Sequence, residues 1–192
     1  MRTRVAVVDL GSNATRLLIA DVGADGSLTE LERRSTVTRL GDRVEATGRL
    51  AGDAMARVYA TLAEYRAAMD DHGAGTALGV LTSAVRDAAN GADFAAVVRD
   101  RFGIAARTIP GEEEARLTYL GATAGRPQDR PVAVIDIGGG STEFVVGEGS
   151  ALRLHVSTQV GVVRHGERHL HTDPPAAGEL AALRDDAAAT FA

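Results

Sequence analysis

The chain has 192 residues, 45% of them hydrophobic and 24% charged, with a net charge of −5. This is enough apolar material for one large or two small soluble domains. The acidic balance, with aromatics at 4% and no Trp, argues against a nonspecific nucleic-acid binder or a stacking platform for single strands. There is no Cys, and all 21 basic residues are Arg. Their absence removes disulfides, thiol nucleophiles, cysteine zinc sites, the Walker A lysine and Schiff-base chemistry.

In chain order, residues 5–10 and 15–22 are apolar runs on either side of Gly11-Ser-Asn13, the pattern of a β-hairpin with a glycine turn. Residues 28–40 continue as a third strand, and 41–48 form a polar loop. Met55, Val58, Leu62, Tyr65 and Met69 recur at steps of three and four, so 52–72 reads as a helix whose stripe is core. A buried-type strand over 76–82 runs into Ser83-Ala-Val-Arg86. A helix over 93–102, a strand over 105–109 and a helix over 112–124 follow, the last with Glu112, Glu113 and Glu114 in its first turn. The polar, proline-bearing stretch 125–131 is the expected boundary between a first domain, 1–125, and a second, 126–192. Beyond it, strands over 132–137, 143–147 and 152–157 repeat the three-strand opening. Helices over 160–170 and 178–191 flank Asp173-Pro-Pro175.

The repeat aligns without a gap across both hairpins. Val5 matches Val132, Asp9 matches Asp136, Gly11 matches Gly138 and Thr15 matches Thr142. Such duplication implies two similar domains, each with a carboxylate at a strand end and a glycine turn. Successive N–H groups of such a turn form a concavity that suits phosphate oxygens. The first half reads βββαβαβα; the second begins βββα and stops, so the second copy is expected to be truncated.

Asp9-Leu-Gly-Ser-Asn, Ser83-Ala-Val-Arg86, Gly111-Glu-Glu-Glu-Ala-Arg116 and Asp136-Ile-Gly-Gly-Gly-Ser-Thr-Glu143 occur in this order. Together they resemble the exopolyphosphatase and guanosine pentaphosphate phosphohydrolase (Ppx/GppA) family of the actin-like ATPase superfamily. The resemblance implies an α/β, actin-like (ribonuclease H-like) duplicated fold and hydrolysis of a terminal phosphoanhydride with Mg2+. It assigns Glu114 to the attacking water, a role a carboxylate fills as general base. Asp9, Asp136 and Glu143 are the candidate metal ligands, since magnesium takes oxygen ligands. Gly11, Ser12, Asn13, Gly138, Gly139, Gly140, Ser141 and Thr142 are expected to offer backbone and hydroxyl donors to phosphate. Arg86 is the expected charged phosphate ligand, because its planar fork matches phosphate oxygens. Arg16 is a weaker candidate, in the place that Glu143 holds in the second repeat.

Each residue also has a plainer reading: acids in a first helical turn suit the helix dipole, and an Asp at a turn closes it by hydrogen bonding. Glu143 reads equally as a surface strand residue. His165, His169 and His171 are read as a solvated helix end and loop. The expected substrate is inorganic polyphosphate, with guanosine pentaphosphate as the rival. A kinase of the same superfamily and a phosphate- or nucleotide-sensing module without turnover are the other readings. No basic leader opens the chain and no apolar run reaches membrane-spanning length. A cytoplasmic protein without nucleic-acid or membrane partners is therefore expected, with a homodimer implied by the resemblance.

Overall fold

Strand β1 (Arg2–Leu10) alternates apolar side chains between two faces, and its buried set, Ala6, Val8 and Leu10, is wholly inaccessible to solvent. It pairs antiparallel with β2 (Ala14–Gly23), which pairs antiparallel with β3 (Leu28–Val37). The computed structural model describes residues 2–127 and 129–191; Gln128, in the expected linker, lies outside them.

After β3 comes a one-turn helix, α1 (Val44–Thr47), inside the stretch expected to be loop, and then α2 (Gly52–Asp71). Helix α2 returns the chain to β4 (Thr76–Leu81), which lies parallel to β1. Helices α3 (Ser83–Asp87) and α4 (Gly91–Phe102) lead to β5 (Ala105–Thr108), parallel to β4. Parallel neighbours require such crossovers. The resulting order is β3-β2-β1-β4-β5. Val58, Leu62, Tyr65 and Met69 of α2 enter the core with Phe94 and Val98 of α4. Burying each such side chain contributes roughly 1.5–3 kcal/mol. The Tyr65 hydroxyl donates to the Thr15 carbonyl at 2.9 Å, tying the helix to the base of the first turn.

Helix α5 (Gly111–Thr123) precedes a second sheet of β6 (Val132–Ile137), β7 (Thr142–Glu148) and β8 (Ala151–Thr158), in the order β6-β7-β8. Helices α6 (Val162–His169) and α7 (Ala177–Phe191) follow. The chain divides between Ile109 and Pro110, earlier than the linker expected at 125–131. Ala115 and Tyr119 of α5 bury themselves against Val145, with Val132, Val134 and Leu152 around them, so α5 belongs with the second sheet. Gly147 permits this: a Cβ there would lie 2.6 Å from the Tyr119 ring.

The duplication extends to irregularities. A bulge follows Ile19 in the first meander, and another follows the equivalent Val146 in the second. The second sheet stops at three strands, as the half-repeat in the sequence anticipates. No helix among the described residues is long and apolar enough to cross a membrane.

Two phosphate-loop hairpins as the candidate functional site

In the second unit, Gly138 N–H donates to the Ser141 carbonyl at 2.9 Å and closes the turn between β6 and β7. The start of α6 then takes the loop's carbonyls. Val162 N–H donates to Gly138 O at 3.0 Å, and the Val163 and Arg164 N–H groups donate to Gly139 O at 2.9 and 3.1 Å. Arg164 Nε donates to Gly140 O at 2.8 Å. In a planar trans peptide the N–H points opposite to the preceding C=O. The N–H groups of Gly139, Gly140 and Ser141 therefore face away from α6, and successive N–H groups of a turn can serve an anion. Gly161 seats this contact; a Cβ there would come within 2.5 Å of Gly139 O.

The first unit repeats the device. Gly11 N–H closes its turn on Ala14 O at 3.1 Å. Thr38 and Arg39 N–H donate to Asn13 O at 3.1 and 2.9 Å, and Gly41 N–H to Ser12 O at 2.8 Å. By the same geometry the N–H groups of Asn13 and Ala14 face away from the segment 38–41.

Two expected hydroxyl donors are turned inward instead. Ser12 Oγ lies 2.8 Å from Ser83 Oγ and accepts from Ala84 N–H at 3.2 Å, so it fastens the first loop to α3. Thr142 Oγ1 donates to Val160 O at 2.7 Å. Both side chains act as internal ties. Arg86, on α3, is exposed and donates through Nη1 to Ile109 O at 2.9 Å, bracing the end of the first unit.

The carboxylates differ between the repeats. Asp9 faces Arg16 across the strand pair and accepts from its Nη1 at 2.9 Å. Asp136 faces Glu143 at the same register. Glu143 is only 3% exposed, which removes its reading as a surface strand residue. Ser157 Oγ donates to its Oε1 at 3.0 Å, and Thr118 Oγ1 lies 3.4 Å from Asp136 Oδ2. Like charges directly opposite on a strand pair repel. A cation beside Asp136 and Glu143 would relieve that repulsion, and magnesium is usually held by one or two carboxylates while it keeps waters. Among the described residues no three His, Cys, Asp or Glu side chains gather to cage a metal.

Glu114 sits in the first turn of α5, half-buried, with its N–H on Pro110 O at 3.0 Å. Glu114 and Thr118 are four residues apart on one helix face. Since Thr118 reaches Asp136, Glu114 lies about one turn, ~5 Å, further along the face that meets the β6 end. The carboxylate pair, the second loop and Glu114 thus belong to a single unit.

His165 and His169 are not a solvated helix end, whereas His171 is exposed in the following loop, as expected. His165 is 4% exposed, and Asp186 Oδ2 on α7 lies 3.5 Å from His165 Nε2, 2.7 Å from His169 Nε2 and 2.9 Å from Arg168 Nη1. Hydrogen bonds from His169 and Arg168 hold the Asp186 carboxyl below its usual range. This cluster joins α6 to α7. Sequence reasoning also passed over Arg164, Gly161, Thr118 and Ser157. The signal for the first two was a glycine a few residues beyond each third strand, Gly41 and Gly161.

The Ppx/GppA phosphatase family matches residues 18–192. Exopolyphosphatase 2 of Mycobacterium tuberculosis is 42% identical over 191 residues, covering 95% of this chain and 60% of that protein. The crystal structure of an exopolyphosphatase-like protein superposes with a TM-score of 0.88 at 36% identity, over 99% of this chain and 60% of the other. An exopolyphosphatase from Cytophaga hutchinsonii gives 0.87 at 27% identity, over 98% and 61%. The chain thus spans about 60% of the length of these relatives. With its motifs, its duplicated hairpins and its α/β fold all in agreement, the chain belongs to the Ppx/GppA phosphatase family.

Proposed function

We propose that this chain carries the phosphate-binding and catalytic machinery of an exopolyphosphatase, which hydrolyses the terminal phosphoanhydride of inorganic polyphosphate to release orthophosphate with Mg2+. The observation that carries this reading is the second loop, whose carbonyls are held by α6, which turns the Gly139, Gly140 and Ser141 N–H groups away from that helix. Phosphoryl transfer relies chiefly on positioning and on electrostatic stabilisation of this kind.

Asp136 and Glu143 would hold magnesium, whose chemistry is to neutralise charge on the phosphoryl oxygens. Ser157 and Thr118 orient those two carboxylates. Glu114 orients a water and takes its proton as the water oxygen attacks the terminal phosphorus in line; the bond to the bridging oxygen breaks, and the shortened chain leaves. The outward amides bind non-bridging oxygens through this change. Arg86 and the first loop supply further anion contacts on their own unit. Asp9, the third expected metal ligand, pairs with Arg16 at 2.9 Å.

Guanosine pentaphosphate ends in the same phosphoanhydride and is the alternative substrate. The test incubates the chain with Mg2+ and, separately, long-chain polyphosphate, guanosine pentaphosphate and ATP, and measures released phosphate. Polyphosphate is expected to be the best substrate, and Glu114→Gln to slow release by about 100-fold or more, as loss of a general base does. Equal rates for wild type and variant reject the role of Glu114. Binding without release points to a phosphate-sensing module, and ADP formation that depends on an added acceptor points to a kinase.

A further inference from the structure

Among the described residues, two that are not glycine have left-handed backbone: Arg39 at φ 48° and Arg43 at φ 63°. The conformation is uncommon and costly for an L-residue, and it clusters where ligands are held. Arg43 opens α1, and its guanidinium pairs with Asp42 and Asp53. Arg57, on α2, reaches the same two acids at 3.6 and 3.4 Å. It also pins the segment that clamps the first loop, with Nε donating to Thr38 O at 2.8 Å and Nη2 to Arg39 O at 3.3 Å. Arg39 stands between Thr38 and Leu40, which are 1% and 0% exposed, and is itself exposed. Three arginines thus meet two acids, and both acids are taken. Among the described residues the Arg39 guanidinium has no hydrogen bond or ion pair. The clamp itself does not require the strain. In the second repeat Gln159 precedes Gly161 by two residues, as Arg39 precedes Gly41, and Gln159 is not left-handed.

We propose that Arg39 is a phosphate-binding residue of the first unit, held on a strained backbone that leaves its guanidinium free for the charge of the substrate. The proposal rests on the reading of the loops as phosphate sites. The Arg39 N–H is bonded to Asn13 O, so the root of its side chain stands against the turn. The Asn13 and Ala14 amides face away from this segment. Arg39 therefore takes a different phosphoryl group from any that those amides hold, which selects a chain of phosphates over a single one. A guanidinium suits this role, since its five donors form a fixed fork that matches two oxygens at once.

Calorimetry tests it, with Mg2+ and a methylene-bridged analogue of tripolyphosphate that cannot be hydrolysed. Arg39→Gln is expected to bind about tenfold more weakly than wild type, the loss of one charge-assisted contact. Arg39→Lys, which keeps the charge without the fork, is expected to recover part of that loss. Arg33→Gln, which removes an arginine already paired with Glu30 on β3, is expected to bind as wild type does. Arg39→Gly removes the strain together with the charge. It is expected to melt above Arg39→Gln and to bind as weakly. Equal binding by wild type and Arg39→Gln, or the same loss in Arg33→Gln, overturns the proposal and leaves the phosphate reading of the loops in place. Arg39→Gly melting below Arg39→Gln overturns it too. No binding by wild type rejects that reading and the proposal together. Circular dichroism confirms the fold of each variant.

Discussion

The two hairpins have the same strand register and opposite cover. Ala6, Val8 and Leu10 are fully buried, whereas their repeat counterparts Ala133, Ile135 and Ile137 are exposed, the two isoleucines at 60% and 66%. The strands are equally apolar; the third layer differs. Helices α2 and α4 complete the core with the first set. In the second sheet α5 covers the other face, that of Val132, Val134 and Val145. Alternation in a strand says that a face is apolar, and leaves open which element lies on it. The same holds for charge. One cross-strand position carries Arg16 in one repeat and Glu143 in the other, so one strand-end carboxylate faces a cation and the other faces an acid.

The largest expected effect breaks this comparison at one repeat position. Val8→Asp places an unpaired charge in the first core and should cost more than about 4 kcal/mol, enough to unfold that unit. Ile135→Asp, on the open face, should change stability by about 0.5 kcal/mol or less. Urea denaturation of the two variants measures the gap, and similar losses would mean that the second face is covered after all.

A smaller effect sharpens the likeness of the loops. Gly161→Ala drives a Cβ to within 2.5 Å of Gly139 O, whereas Gly41→Ala meets Ser12 Cβ at 3.0 Å. Overpacking of this kind costs about 1–3 kcal/mol, with Gly161 at the upper end. Amide hydrogen exchange should show loosening at 138–141 for Gly161→Ala, and a weaker change at 11–14 for Gly41→Ala.

Next come the inward hydroxyls. Thr15 Oγ1 pairs with Thr38 Oγ1 at 3.0 Å, and Thr142 Oγ1 with Val160 O at 2.7 Å. Thr15→Val and Thr142→Val should each lower stability by about 1–2 kcal/mol through the partner left behind. Tripolyphosphate affinity should fall little. A large loss of affinity with unchanged stability would restore Thr142 as a direct phosphate donor.

The smallest effect is confined to α7. Thr172 Oγ1 and the N–H groups of Ala176 and His171 donate to Glu179, lowering its carboxyl from the usual 4.5 to about 2. Because the native carboxyl titrates lower than the unfolded one, this bracing is complete above the ordinary value and is lost only as the pH falls through about 2. Carboxyl chemical shifts followed by NMR should give that midpoint, and Glu179→Gln should free the His171 and Ala176 amides at neutral pH.

Local elements were largely legible in the residues. The α2 stripe, both hairpins and the glycine turns follow from periodicity and turn chemistry, and the observed strands match the expected ones within a few residues. What escaped depends on contacts distant in sequence. Helix α5 shows its apolar residues, Ala115 and Tyr119, in the sequence, but the sheet that receives them is chosen by Gly147 and Val145. His165 looks like a surface residue until Asp186, on another helix, comes to meet it. The hydroxyls of Ser12 and Thr142 were assigned by residue type, and their observed partners lie on α3 and beyond β8. The candidate acids were readable because the repeat placed them at one register; Ser157 and Thr118, which orient two of them, were not.

The outward groups of both loops are peptide amides, and this makes them hard to see by ordinary genetics. Removing a side chain from Ser141 or Asn13 leaves every one of those amides in place, so an alanine scan of the loop residues would not report on them. Replacing a single peptide bond by an ester, at the nitrogen of Gly139 or Gly140, deletes the donor and nothing else. A site written in the backbone is exposed by chemical synthesis before it is exposed by mutation.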